Sequence, residues 1–259
     1  MSGMELELLR ADPAGNVTLL VLTPVEPARR SAVARSLLRR CGGEQVGFVT
    51  PPRLGGTCRL EMMGGEFCGN ALRCLGRWWA DAHPEETGAV YGEISGCDRP
   101  LTLWPEGNGV RAELPLPEHL SEWEGMPVAV FSGIVHALRT GPVLSETEAA
   151  RLTAGLCERY AAPAAGVMTL GEDRRSMIPA VYVRDTDTLY FESSCASGSA
   201  AAAAILSRET PEGESVWPLR QPGGTVLASA RRENGVLTAL RIAGPVFLGE
   251  PFRIRLGTG

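Results

Sequence analysis

The sequence predicts an α/β (α+β) fold built from two similar halves. Short apolar runs typical of strands alternate with segments in which apolar residues recur at helical spacing. In addition, each half contains a strand, a glutamate, a cysteine, a few small or polar residues and then an apolar helix. The glutamates are Glu66 and Glu192, and the cysteines are Cys68 and Cys195. This repeat predicts a duplicated domain in which two equivalent helices each begin at a thiol.

The first half is predicted to span residues 1–122 and to carry Cys68. Apolar residues recur at helical spacing in residues 27–41, and Gly42-Gly43 should end that helix. A second helix should begin close to Cys68, because the helical spacing of apolar residues continues through Trp79. Short apolar runs predict strands at residues 6–9, 19–22, 46–49, 59–63, 89–94, 101–104 and 110–114.

The second half is predicted to span residues 123–259 and to carry Cys195, with its last strand pairing back onto the first half. Residues 115–127 are rich in proline and acidic residues, which predicts a linker. Ser145 and Glu148 form the pattern of a capping box before a helix at residues 146–160. An alanine-rich run predicts a closely packed helix at residues 200–206. Strands are predicted at residues 128–131, 180–183 and 189–191.

The composition excludes several classes of protein. All 25 basic residues are arginine, whereas a pyridoxal-phosphate enzyme needs a lysine for its Schiff base and a P-loop enzyme needs one for its phosphates. The net charge of -5 argues against nucleic acid and anionic membranes as partners. No apolar run reaches the ~18 residues that would predict a membrane span, and the first ten residues lack the pattern of a signal peptide. We therefore expect a cytoplasmic protein that binds a small molecule.

The two cysteines predict acid–base chemistry at a carbon atom. A helix N-terminus presents free backbone N–H groups that bind anions such as carboxylates, and it lowers the pKa of a thiol placed there. If Cys68 and Cys195 face opposite sides of one substrate carbon, a thiolate can remove the α-proton while the other thiol delivers a proton. The sequence therefore predicts an amino-acid racemase or epimerase that needs no cofactor.

Other roles for the cysteines remain open. Buried cysteine often serves only as a small apolar residue, and Cys74 is expected to do so. A zinc site formed by Cys58, Cys68 and Cys74 would lack the short ligand spacing of structural zinc sites, so we predict no metal. A thiol redox protein would usually contain C-x-x-C, which is absent. A non-catalytic binding module on the same fold would not need both thiols.

The segment Glu66-Phe67-Cys68-Gly69-Asn70-Ala71-Leu72-Arg73-Cys74 resembles the first cysteine motif of the diaminopimelate epimerase superfamily, C-G-N-G-x-R-C. Cys195-Ala196-Ser197-Gly198 resembles the second motif, C-G-[ST]-G. Weaker similarities occur in the same order at Ala14-Gly15-Asn16, Gly43-Glu44-Gln45 and Gly133-Ile134-Val135-His136. The resemblance implies two pseudo-symmetric domains, each with a curved mixed sheet around a central helix and with the site in the cleft between them. It also implies that substrate contacts come from Asn16, Gln45, Glu61, Gly69, Asn70, His136, Glu192, Ala196 and Ser197.

Departures from the family pattern point to the substrate. The superfamily's diaminopimelate enzymes carry an arginine for the distal carboxylate shortly before the second cysteine, but residues 187–194 contain no arginine. Glu61 stands where those enzymes place an asparagine, and a glutamate there suits a side chain that donates hydrogen bonds. Because the superfamily includes histidine racemases, histidine is our best substrate prediction, with diaminopimelate as the alternative. The oligomeric state is left open, with a homodimer among the expectations.

Overall fold

The computed structural model describes residues 3–257, which form two compact units. The first unit extends to Ala112 and includes the segment from Gly244 onward, and the second is Glu113–Ala243. The last strand pairs with the first strand, so both belong to the first unit. The division at residues 122 and 123 into separate domains stays a prediction.

The first unit contains a mixed sheet with a helix on each face. Its sheet runs β7-β6-β5-β4-β3-β2-β1, and β1 pairs further with β17 and β18. The pairs β2–β3 and β4–β5 are parallel and the others are antiparallel, so the sheet is mixed. The strands are β1 (Met4–Asp12), β2 (Thr18–Val21), β3 (Gln45–Thr50), β4 (Cys58–Met62), β5 (Val90–Ile94), β6 (Leu101–Glu106), β7 (Gly109–Leu114), β17 (Phe247–Leu248) and β18 (Phe252–Leu256).

Two helices cover this sheet from opposite sides. Helix α1 (Pro27–Cys41) packs against Phe48 and other residues of one face. Helix α2 (Gly69–Ala82) packs against the other face, where Leu72 lies beside Gly92. Because side chains alternate along a strand, Gln45 on β3 faces α2 while Phe48 faces α1.

The second unit contains a six-stranded sheet, two helices and a set of three antiparallel strands. The sheet runs β13-β12-β11-β10-β9-β8, with β10 and β11 parallel. Its strands are β8 (His119–Trp123), β9 (Met126–Phe131), β10 (Ile134–Thr140), β11 (Ala164–Leu170), β12 (Met177–Val183) and β13 (Thr188–Phe191). The antiparallel strands are β14 (Gly213–Gln221), β15 (Gly224–Glu233) and β16 (Val236–Pro245).

The helices of the second unit lie on opposite faces of the six-stranded sheet. Helix α3 (Glu146–Tyr160) packs against Val135 and Val167 on one face, and its capping box confirms the prediction from Ser145 and Glu148. Helix α4 (Ala196–Leu206) contacts β9, β10 and β11 on one side and β14 and β15 on the other. Alanine suits this position because it lets neighbouring strands approach closely. The prediction of close packing on all sides is confirmed.

The predicted linker is wrong, since β8 occupies residues 119–123 and pairs with β9. Its proline-rich start and acidic residues reflect an exposed edge strand, where polar and charged side chains are tolerated. Among residues 3–257, no helix is long and apolar enough to cross a membrane.

Candidate active site

Cys68 is the N-cap residue of α2. It has extended backbone angles (φ -139°, ψ 109°), and its Sγ accepts a hydrogen bond from the Ala71 N–H at 3.4 Å. Its carbonyl oxygen accepts the first helical hydrogen bond, from the Leu72 N–H at 3.0 Å. A cysteine sulfur thus takes the place of the hydroxyl or carboxylate oxygen that usually caps a helix. The thiol is held at the positive end of the helix dipole.

Three predicted site residues converge beside Cys68. Gln45 Nε2 donates to Asn16 Oδ1 at 2.8 Å, and Asn70 Nδ2 donates to the same oxygen at 3.4 Å. The Cys68 thiol is a third donor, with Sγ 3.8 Å from that oxygen. Gln45 also donates to Thr18 Oγ1 at 2.8 Å. The structure therefore brings Asn16, Gln45 and Asn70 together with Cys68 in one polar cluster.

Arg73 anchors this cluster from inside the unit, a role for which the sequence analysis gave no prediction. Its side chain is fully buried and donates to the carbonyl oxygens of Val110, Pro13 and Pro245, and to Asn70 Oδ1 at 3.3 Å. Burial lowers the pKa of Arg73 to about 10, so the side chain stays charged at neutral pH. The signal available in the sequence was an arginine within an otherwise apolar helical run.

Glu61 lies away from the cluster. It pairs across strands with Phe48, and so it faces α1 rather than α2. Its carboxylate accepts from Arg59 Nε at 2.8 Å and lies 3.7 Å from Arg53. The negative charge of Glu61 is therefore compensated by arginines of the same unit.

Cys195 repeats the geometry of Cys68. It is the N-cap residue of α4 with φ -117° and ψ 110°, and its Sγ accepts from the Gly198 N–H at 3.4 Å. The Ser199 N–H donates to its carbonyl oxygen at 3.0 Å. Gly69 and Ala196 are the first residues of the two helices, where the N–H groups have no acceptor within the helix. A Cβ at Gly198 would overlap Met168 Sδ and lie 3.1 Å from Cys195 Sγ, so a larger residue there would require the Met168 side chain to move.

A short polar relay links Cys195 to a buried histidine. Ser197 Oγ lies 3.6 Å from Cys195 Sγ and 2.9 Å from His136 Nε2. His136 is fully buried, and its Nδ1 has no hydrogen-bond partner in the described part of the chain. Because orphaned buried N–H groups are rare, we assign the proton to Nε2, which then donates to Ser197. The Ser197 hydroxyl is thereby free to donate to the sulfur of Cys195.

Cys195 does not have the low pKa that its position at a helix start predicted. Burial, followed by the charge of Glu192 and a hydrogen bond to it, raises the pKa of Cys195 well above its ordinary value. A carboxylate that accepts the S–H proton stabilises the thiol form. The predicted lowering is therefore wrong for Cys195, and Glu192 lies within hydrogen-bond reach of the sulfur.

The buried thiols Cys58 and Cys74 behave as apolar residues. Burial raises the pKa of each to about 12, so both are protonated at neutral pH. For Cys74 this confirms the prediction of a packing role. Within residues 3–257, no group of three or more His, Cys, Asp or Glu side chains is arranged to hold a metal ion.

His136 gives the fold a dependence on pH that can be measured. Burial lowers its pKa to about 3, whereas in the unfolded chain the pKa is about 6.5. Only the unfolded state binds a proton between these values, so stability is full above pH ~6.5 and is lost as the pH falls. We expect His136 to account for about 2–3 kcal/mol of the stability lost between pH 7.5 and 4.5. Urea unfolding of the wild type and His136→Gln at both pH values measures this difference.

The control for this experiment is His119→Gln, which changes an exposed histidine. It should leave the loss of stability at pH 4.5 as in the wild type. An equal loss in His136→Gln and the wild type would contradict the low pKa of His136.

Comparisons with known proteins identify the family of this chain. The family model described as the histidine racemase CntK N-terminal domain matches residues 5–249. A histidine racemase of Staphylococcus aureus is 23% identical over 252 residues, which cover 90% of this chain and 91% of the relative. A histidine racemase of Fusobacterium nucleatum is 28% identical over 222 residues, covering 78% of this chain and 82% of the relative.

Solved structures with the same fold include a predicted epimerase from Pseudomonas aeruginosa, with a TM-score of 0.65 and 13% identity, covering 98% of this chain and 100% of that one. A hydroxyproline epimerase from Agrobacterium vitis gives a TM-score of 0.64 at 12% identity, covering 98% and 92%. These likenesses establish a mixed, sheet-rich α+β fold. The match over residues 5–249 shows that the chain belongs to the histidine racemase CntK N-terminal domain family, whose members are isomerases of the racemase and epimerase type.

Proposed function

We propose that the protein is a cofactor-independent histidine racemase in which Cys68 and Cys195 are the two catalytic residues. The observation that carries this proposal is the repeated helix start. Each thiol is an N-cap residue, and each sulfur accepts the N–H three residues later at 3.4 Å. Two thiols in the same local geometry, one in each half of a duplicated sequence, fit a reaction that treats the two faces of one carbon equally.

The reaction exchanges one proton. A thiolate takes the α-proton of the substrate, which leaves the electron pair of the C–H bond on Cα as a carbanion. The opposite thiol then gives its proton to the other face and becomes the thiolate, so the configuration inverts and no atom is gained or lost. The N–H groups at the starts of α2 and α4 suit the α-carboxylate, whose negative charge increases as the carbanion forms.

The surroundings of Cys195 favour its role as proton donor in one direction. Burial and Glu192 keep the thiol protonated. Once the proton is given away, the thiolate can accept hydrogen bonds from the Gly198 N–H and the Ser197 hydroxyl. Cys68 then takes the α-proton in that direction, and the roles exchange in the other. Neutral His136 donates a hydrogen bond from Nε2 to Ser197 Oγ, and the Ser197 hydroxyl then donates to Cys195 Sγ.

Independence from pyridoxal phosphate is supported by the sequence itself. The Schiff base of that cofactor needs a lysine, and the chain has none. In the proposed mechanism the helix starts and hydrogen bonds of the protein stabilise the carbanion.

Histidine as the substrate is supported by the relatives in Staphylococcus aureus and Fusobacterium nucleatum. Glu61 gives less support than its position in the sequence suggested, since its carboxylate binds Arg59 and faces α1. Selection against a distal carboxylate then depends on the absence of arginine in residues 187–194. An unpaired buried carboxylate costs several kcal/mol.

This proposal predicts α-proton exchange with histidine. L-Histidine or D-histidine incubated with the reduced enzyme in D₂O should give the opposite enantiomer with deuterium at Cα. Diaminopimelate and glutamate should react at least ~100-fold more slowly, because residues 187–194 contain no arginine to neutralise their second carboxylate. Chiral chromatography with mass spectrometry measures both products. Efficient turnover of diaminopimelate alone would replace histidine as the substrate, and an absence of exchange with every amino acid would overturn the racemase proposal.

A further inference from the structure

Gln221, the last residue of β14, lies against the first turn of α4. Its Oε1 accepts a hydrogen bond from the Cys195 backbone N–H at 2.8 Å, and its Nε2 donates to Ser199 Oγ at 2.9 Å. The Ser199 hydroxyl in turn donates to the Cys195 carbonyl oxygen at 2.6 Å. All three residues are buried. The three hydrogen bonds close a ring that fixes both backbone polar groups of Cys195.

The ring also determines which way the amide of Gln221 points. A backbone N–H can only donate, so the atom that faces Cys195 must be the carbonyl oxygen of the side chain. The NH₂ group is then directed at Ser199. An acceptor and a donor are therefore needed at the two ends of one planar group, and glutamine supplies both.

This arrangement replaces half of a capping box. In a capping box the side chain of the third helical residue accepts the N–H of the N-cap residue. The third residue of α4 is Gly198, which has no side chain, and a Cβ there would overlap the end of the Met168 side chain and lie 3.1 Å from Cys195 Sγ. Gln221 supplies the missing acceptor from a strand that is distant in sequence.

A second contact holds the same turn. Gly223, in the turn after β14, donates its N–H to the Ser193 carbonyl oxygen at 2.8 Å. The end of β14 is itself fixed to the segment before β12, because the Arg220 N–H donates to the Arg175 carbonyl oxygen at 2.7 Å. Gln221 and Gly223 thus hydrogen-bond to Cys195 and Ser193, the residues on either side of Ser194.

We infer that Gln221 is a positioning residue for Cys195 in the racemase reaction, an inference that rests on the proposed function. It does not touch the sulfur. It fixes the backbone of the N-cap residue, and the direction of the Cys195 side chain follows from that backbone. A sulfur displaced by about 1 Å can slow a proton transfer about 100-fold even when the protein stays folded.

The test replaces Gln221 with methionine, which is unbranched and of similar length but has neither the amide donor nor the carbonyl acceptor. We expect Gln221→Met to lower kcat/KM about 10- to 100-fold, mainly through kcat. The isotope effect of α-deuterated substrate should rise for the one enantiomer that Cys195 deprotonates and should not rise for the other, for which Cys195 delivers the solvent proton. A smaller amount of folded enzyme would lower the rate without changing either isotope effect.

A second measurement does not depend on activity. Hydrogen exchange at the Cys195 amide should become about tenfold faster in Gln221→Met, because its only acceptor in the ring is lost. Ser199→Ala, which removes the other end of the ring, should slow the reaction less. Combined with Gln221→Met, it should add less than its separate effect.

Arg220→Ala is the matched control, since Arg220 precedes Gln221 on β14 and its exposed side chain forms an ion pair with exposed Asp173. Arg220→Ala should have wild-type kinetics and the wild-type rate of amide hydrogen exchange at Cys195. Wild-type kinetics and unchanged exchange in Gln221→Met would overturn the inference while leaving the racemase proposal intact. If the wild type exchanges no α-proton of any amino acid, the proposed function fails. The amide hydrogen exchange of Cys195 in Gln221→Met then still decides whether Gln221 fixes the backbone of this residue.

Discussion

Cys195→Ala and Cys68→Ala should each reduce racemisation at least ~10³-fold, because in the proposed mechanism each variant lacks the acid or base for one face of the substrate. Each should still exchange the α-proton of one enantiomer with solvent, since the remaining thiol can remove and return a proton on its own face. The two variants should act on opposite enantiomers. Deuterium wash-in, followed separately for L- and D-histidine, distinguishes this result from a general loss of the enzyme.

Cys74→Ala is the matched control for these variants. Cys74 lies in α2, six residues after Cys68, but it is fully buried and burial raises its pKa to about 12. Its replacement should lower stability modestly and leave the rate of exchange close to that of the wild type. Racemisation by Cys195→Ala at the wild-type rate would show that the two-thiol mechanism is wrong.

Arg73→Met should have the largest effect on stability. The substitution leaves the carbonyl oxygens of Val110, Pro13 and Pro245, together with Asn70 Oδ1, without the donors that now satisfy them. Unsatisfied buried acceptors cost about 1–3 kcal/mol each before the structure relaxes. We expect the free energy of unfolding to fall by about 3–5 kcal/mol, measured by urea denaturation.

Arg77→Ala provides the comparison for Arg73→Met, because Arg77 lies one turn later on α2 and forms a partly exposed ion pair with Asp81. It should lower the free energy of unfolding by no more than about 1 kcal/mol. Arg73→Lys should recover only part of the loss, since an ammonium group cannot reach carbonyl oxygens on several sides. Similar stability of Arg73→Met and the wild type would contradict the anchoring role.

Much of the first unit could be predicted from apolar periodicity and turn residues. The strand that contains Gln45 and the helix that begins at Cys68 lie where the pattern places them. The repeat of glutamate, cysteine and helix also predicted both N-cap thiols. These features are local in sequence, and so a single sequence carries them.

The parts that were missed depend on contacts between distant residues. β10 carries His136 but has the mixed apolar pattern of a strand buried on both faces, which periodicity does not distinguish from other apolar segments. The role of Gln221 depends on a partner 26 residues away. Glu61 was placed near the substrate by family resemblance, but alternation along β4 directs it to the face that holds α1. The raised pKa of Cys195 likewise follows from burial and a tertiary neighbour.

The pairing of β18 with β1 affects how the chain can fold as it is synthesised. Met4 lies opposite Leu256 and Leu8 opposite Phe252, so β1 leaves the ribosome more than 200 residues before the strand that pairs with it. All of Glu113–Ala243 emerges in between. The first unit is therefore completed only after the second has emerged, and until then β1 has an open edge on which another nascent chain could pair.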